Sequence, residues 1–193
     1  MSPKTEWEII KGETETPQSL LGKYVIPLAL IPAIAYFIGY GLIGMDVGFV
    51  RIGSIHWGLI MALDSFVGSI ISYFICTFVV DALAPSFSSE KNTGKSAQLV
   101  AYSSTAAWIV GIFNIIPSLS ILGILGLYSI YLFYLGIPVL KKTPEDKRIG
   151  YMAVCAIVII VVAVVVNLII SKIVYSVAGN PFMPEGIPDL RLR

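Results

Sequence analysis

Hydrophobic positions along this chain gather into five long runs, Tyr24 to Gly44, Trp57 to Leu83, Ala97 to Ile116, Leu119 to Leu140 and Gly150 to Tyr175, separated by short polar segments. A bilayer core about 30 Å thick needs roughly 20 apolar residues for one helical crossing, and each run reaches that length. None has the apolar–polar alternation of a half-buried strand. The pattern predicts an all-α, polytopic membrane protein with five transmembrane helices between residues 24 and 175. The third connection, around Pro117 and Ser118, is so short that crossings three and four must form a tight antiparallel hairpin.

A shorter pattern precedes the first run. Ser2 as cap, Pro3 at the first helical position and Gly12 as stop predict a short helix within an N-terminal segment, residues 1–23. Pro3, Trp7 and Ile10 fall at i, i+4 and i+7 on one face, whereas Lys4, Glu6, Glu8 and Lys11 take other directions. Two readings stand side by side: the helix lies flat in the headgroup layer with Trp7 as interfacial anchor, or it packs against the ends of the bundle. Thr16-Pro17 repeats the cap-and-proline signal, so a second helix starts there and runs into the first crossing. Pro27 and Pro32 are expected to kink that crossing. Trp57 sits where a second interfacial anchor belongs. The tail, 176–193, contains Pro181, Pro184 and Pro188 and reads as extended.

Composition sharpens the class. Hydrophobic residues make up 56% of the chain and charged residues 13%, against about 25% charged in soluble domains, which leaves no room for a separate soluble domain. A net charge of +1, with no basic stripe interleaved with aromatics, gives no reason to expect a nucleic-acid partner. The placement of charge says more than its total. Lys4, Lys11, Lys23, Lys91, Lys95, Lys141, Lys142, Lys147 and Arg148 fall on one side of a five-crossing topology, and only Arg51, Lys172, Arg191 and Arg193 on the other. Because Lys and Arg are retained in the cytoplasm, the N-terminus is expected inside and the C-terminus outside. The first 23 residues carry both signs of charge and no uninterrupted apolar run, so no cleavable signal sequence is expected.

Polar residues inside the runs are the candidates for chemistry. Asp64 lies roughly 10 Å along the second crossing from Trp57, at a depth where a carboxylate costs about 2.5–3.5 kcal/mol on insertion scales. It is expected to face protein or water. Asp64, Gly68 and Ser72 share a face at i, i+4 and i+8, and such small-residue faces pack against other helices, as Gly111, Gly123 and Gly126 are also expected to do. Asn114 and Asn167 fall at similar depth, with Lys172 close behind. This intramembrane polar cluster reads either as interhelical hydrogen bonds or as a cavity for an ion, a proton or a lipid headgroup. Asp81 reads as an interfacial residue or a loop cap. His56, the only histidine, reads as a solvated surface group or a proton-transfer group.

Enzyme signatures are absent from the sequence. Asp64 and Asp81 lie on one helix, roughly 25 Å apart along its axis, which does not suit an intramembrane aspartyl protease. The sequence contains no HExxH, no phosphate-binding loop and no Cys/His cluster. Cys76 and Cys155 both sit in apolar runs, as small buried hydrophobes do. No catalytic residue, metal or cofactor is expected.

Three stretches carry a resemblance. The opening Pro3, Trp7, Ile10 and Glu13, with Tyr24-Val25-Ile26-Pro27-Leu28-Ala29 and Ile38-Gly39, resembles the prokaryotic branch of the Yip1 family. Tyr102 to Tyr134, with its Asn114-Ile115-Ile116-Pro117 corner and the run Leu125 to Leu132, is similar to that family's central hairpin, and Lys141 to Tyr151 to its basic loop. The resemblance implies a five-helix protein with a cytoplasmic N-terminus. Eukaryotic relatives are linked to vesicle traffic and Rab-type GTPases, but this chain lacks their long N-terminal region and acidic DLYGP-like motif. What the resemblance implies here is an architecture and no chemistry. Two functions are therefore expected: a membrane-organising or interaction protein of the inner membrane that contacts the bilayer and is oligomeric, or a small transporter, channel or lipid-handling protein built around Asp64.

Overall fold

The computed structural model describes residues 2–47 and 50–178. Ser2 accepts a hydrogen bond from the Thr5 amide at 3.4 Å and opens helix α1, Pro3–Gly12, as its cap-and-proline sequence predicts. Thr16 caps α2, Pro17–Ile43, by accepting from the Ser19 amide at 3.2 Å. Ser54 and Asn92 do the same for α3, Ile55–Phe87, and α4, Thr93–Ile115. After Ile116 alone the chain enters α5, Pro117–Lys141; α6 follows as Arg148–Ala178. Helices α2 to α5 are each long and apolar enough to cross a membrane. α6 adds 31 helical residues, of which 151–171 include no charge and span more than about 30 Å.

The five expected runs are therefore these five helices, and the tight hairpin is found. Its pivot is Ile116, held extended at φ −115° and ψ 104° by the following Pro117. Each helix extends beyond its apolar run at one end or both, because capping residues and not hydropathy decide where the backbone turns. The tail expected from residue 176 continues as helix to Ala178, and 179–193 lie outside the described residues. The loop expected after the first crossing instead contains a small antiparallel hairpin, β1 (Met45–Val47) and β2 (Val50–Ile52), pairing Met45 with Ile52 and Val47 with Val50. β-Branched residues at close spacing favour that pairing.

Proline shapes α2 without breaking it. Pro27 has no N–H to offer the carbonyl one turn earlier, and the backbone widens into a π-helical stretch, Leu21–Val25, directly before it. Pro32 stays within regular helix and packs against α4 at Gly111, where a Cβ would come within 2.5 Å of its ring. Gly58 on α3 meets α2 even more closely: a Cβ there would lie 2.4 Å from the Gly41 Cα, so these two backbones touch.

The core lies toward the end of the bundle where α1 sits. Trp7, Tyr73, Val80, Leu99, Tyr151 and Cys155 are packed together there. Elsewhere Leu63, Phe78, Ile121 and Ile160 face outward, as suits helices whose solvent is hydrocarbon.

Candidate functional site

The N-terminal segment and the second and fourth connections meet on one face of the bundle, and a buried ion pair joins the two connections. Asp81, near the end of α3, and Lys141, the last residue of α5, approach to 3.2 Å, with side chains 9% and 0% exposed. Both carboxylate oxygens and all three ammonium protons are hydrogen-bonded. Asp81 Oδ1 accepts from the Asn92 amide at 2.8 Å and the Ser96 hydroxyl at 3.0 Å, and Oδ2 accepts from the Thr93 hydroxyl at 2.8 Å. Lys141 Nζ donates to Ser96 Oγ at 2.7 Å and to the Asn92 carbonyl at 3.3 Å. A dry charge pair is tolerated when its remaining hydrogen-bonding capacity is filled in this way. Asp81 also acts as an outside cap for the first turn of α4.

The surrounding shell ties the same two connections together again. The Glu90 amide donates to the Lys141 carbonyl at 2.8 Å, and Glu90 pairs with Lys142 at 2.7 Å. The hydrogen bond and charge of Lys142 hold the Glu90 carboxyl below the usual carboxylate range. Ser89 and Thr143 share a 2.8 Å hydrogen bond, Lys147 donates to Ser88 at 2.7 Å, and the Tyr151 hydroxyl donates to the Val80 carbonyl. Asp81 is thus the centre of a lock, beyond the loop-cap role expected of it. The signal overlooked in the sequence is Lys141, which reads as the first member of a basic loop but is the last residue of α5.

Helix α1 is bound to this face. Lys95 donates to the carbonyls of Ile10, Lys11 and Glu13 at 3.4, 2.8 and 2.5 Å, gathering the orphan C-terminal carbonyls of α1 around one ammonium. Trp7 is 3% exposed. A Cβ on Gly136 of α5 would come within 2.8 Å of its indole ring, so that glycine is what lets the ring in. Of the two readings of Trp7, interfacial anchor and bundle packing, the contacts are those of packing. Trp57 is half-buried at the start of α3, next to the exposed His56.

The residues expected to form an intramembrane polar cluster are not brought together among the described residues. Asp64 is half-buried with no hydrogen-bond partner given by those residues. Asn114 turns its amide back to the Gly111 carbonyl of its own helix at 2.9 Å, and its backbone packs against Gly39 of α2. Lys172 is exposed on α6, and the side chain of Asn167 lies outside the described residues. The expected packing glycines divide. Gly111 receives Pro32 and Gly126 approaches Ala107, whereas a Cβ at Gly68 or Gly123 would meet nothing within 4 Å; Ser72, one turn from Gly68, is exposed. The four-helix interior also holds a cavity of about 240 Å³, lined by Cys76, Ser103, Phe133 and Met152 among others. Among the described residues no group of three or more metal-ligating side chains occurs.

These features define a polytopic helical membrane protein whose N-terminal helix is fastened to the bundle by the buried Trp7 and the Lys95 contacts, and whose second and fourth connections are joined by a buried ion pair. The chain belongs to the Yip1 family: the family model, described as Yip1 domain, matches residues 1–166. The match includes α1 as well as the crossings, in keeping with a helix that is built into the fold. No curated protein and no solved structure matches the chain.

Proposed function

We propose that this chain is a non-catalytic Yip1-type protein of a prokaryotic cytoplasmic membrane, with its N-terminus inside and its C-terminus outside, that organises membrane components by binding other membrane proteins, first among them a second copy of itself. Its parts on this reading are an N-terminal segment (1–23), a five-helix domain (24–175) and an outer tail (176–193). The observation that carries the reading is the side of α3 holding Asp64, Gly68 and Ser72, where a Cβ added at Gly68 would meet nothing within 4 Å among the described residues. Elsewhere close glycines are consumed by internal contacts, as at Gly58 with Gly41. Small residues on an uncovered membrane helix fit the close approach of another helix, and a partner there supplies Asp64 with the hydrogen bond it lacks within the described chain. The test is disulfide trapping in native membranes with Ser72→Cys in a Cys76→Ser, Cys155→Ser background. A crosslinked dimer at Ser72→Cys and none at Phe78→Cys is the expected result; equal crosslinking at both positions, or none, contradicts it.

The unpartnered Asp64 supports a second reading, a small transporter, channel or lipid-handling protein in which that carboxylate meets a passing ligand. Unchanged ion and lipid flux in liposomes after Asp64→Asn removes this reading and leaves the first.

A further inference from the structure

Beside the lock, and independent of the α3 surface, lies a cavity of about 480 Å³ between α1, α2, α4 and α5. Its chemistry is unusual for a membrane bundle. Four aromatic rings, Trp7, Tyr24, Tyr102 and Tyr128, and two carboxylates, Glu6 and Glu13, contribute to its wall, and no Lys or Arg does. Tyr24 and Tyr102 stand edge to face with centroids 4.8 Å apart, and their hydroxyls are held by Thr105 at 2.7 Å and by Glu13 Oε2 at 3.4 Å. The rings are therefore fixed in place before any ligand arrives. Glu6 Oε1 is sealed from solvent and has no hydrogen-bond partner among the described residues. A buried, unpaired carboxylate oxygen is costly unless something of opposite charge meets it. Lys95, at the C-terminal end of α1, spends its three protons on backbone carbonyls.

Rings present negative π faces, and carboxylates add full charge, so this wall attracts a weakly hydrated cation and repels an anion. We propose that the cavity binds an ammonium group, carried either by the headgroup of a zwitterionic lipid or by a soluble amine. Its volume exceeds that of an ammonium ion alone. Its wall also passes from Glu6 and Glu13 to the apolar Leu132 of α5, which gives a headgroup with an attached chain both of its environments.

The test uses the full chain purified in a detergent without an ammonium group. Native mass spectrometry measures retention of phosphatidylethanolamine and phosphatidylglycerol, and fluorescence titration measures binding of tetramethylammonium. A lipid-headgroup site predicts at least tenfold preferential retention of phosphatidylethanolamine, displaced by tetramethylammonium. A soluble-amine site predicts saturable tetramethylammonium binding with equal retention of the two lipids. Either behaviour must fall at least tenfold in Glu6→Gln/Glu13→Gln and, as a second variant that keeps both charges, in Tyr102→Leu, each with wild-type helical content. Equal lipid retention together with no saturable tetramethylammonium binding by the wild type overturns the proposal, as does undiminished binding in both variants.

Discussion

Removing one partner of the Asp81–Lys141 pair strands a charge where water does not reach. Asp81→Asn or Lys141→Met is therefore expected to lower stability by about 3–5 kcal/mol, and the double variant to recover part of that loss because no unpaired charge remains. Unfolding titrations in mixed micelles measure all three. Glu90 offers a gentler contrast, since its partner Lys142 is 70% exposed and solvent screens the pair. Its folded carboxyl titrates below the ordinary value of 4.5, so its contribution is complete above that value and is lost as pH falls through the lower folded one. Melting temperatures of wild type and Glu90→Gln should differ slightly near neutral pH and converge in acid. At this scale the sequence is least legible. Asp81 and Lys141 are separated by 60 positions, and hydropathy cannot tell which crossings are neighbours. Asp64, by contrast, stands out in sequence because a carboxylate amid apolar residues is rare, yet rarity does not say what it touches.

The helices themselves are well announced by the sequence. Caps at Ser2 and Thr16 mark the first two starts and the apolar runs set the number of crossings, since both are local properties; the caps at Ser54 and Asn92, which lie ahead of their runs, emerge only from the structure. What local patterns cannot give is which face meets which neighbour. The one-sided pattern of Pro3, Trp7 and Ile10 fits a headgroup layer and a bundle groove equally well, and only the bare backbone at Gly136 decides for the groove. Gly136→Leu should therefore expel Trp7. Overpacking of this kind costs about 1–3 kcal/mol, and in a Trp57→Phe, Trp108→Phe background the emission of Trp7 should shift to the red. Gly123→Ala, where the added carbon meets nothing within 4 Å, should leave that emission unchanged.

Across the whole molecule, the three polar segments assigned to one side by their Lys and Arg residues are in contact, through Lys95 to α1 and through Lys141 and Lys147 to the second connection. The alternation of five crossings groups these segments, and the Lys and Arg they carry supply a prediction about orientation. A thiol introduced at Ser2 should resist a membrane-impermeant reagent in intact cells, and one at Ser54 should react. Assembly beyond the single chain has no such signature, because a glycine that packs inside the chain and one left for a partner look alike in sequence. Gly68 distinguishes the two only once its empty surroundings are known. The central claim, a self-association surface on α3, is tested most directly by energy transfer between labelled copies in vesicles as the lipid-to-protein ratio is raised. The wild type should dissociate reversibly on dilution, and Gly68→Leu, at a position where an added Cβ meets nothing within 4 Å among the described residues, should weaken association at least tenfold. Wild-type copies that stay apart at every dilution, or a Gly68→Leu protein that associates as the wild type does, would contradict it.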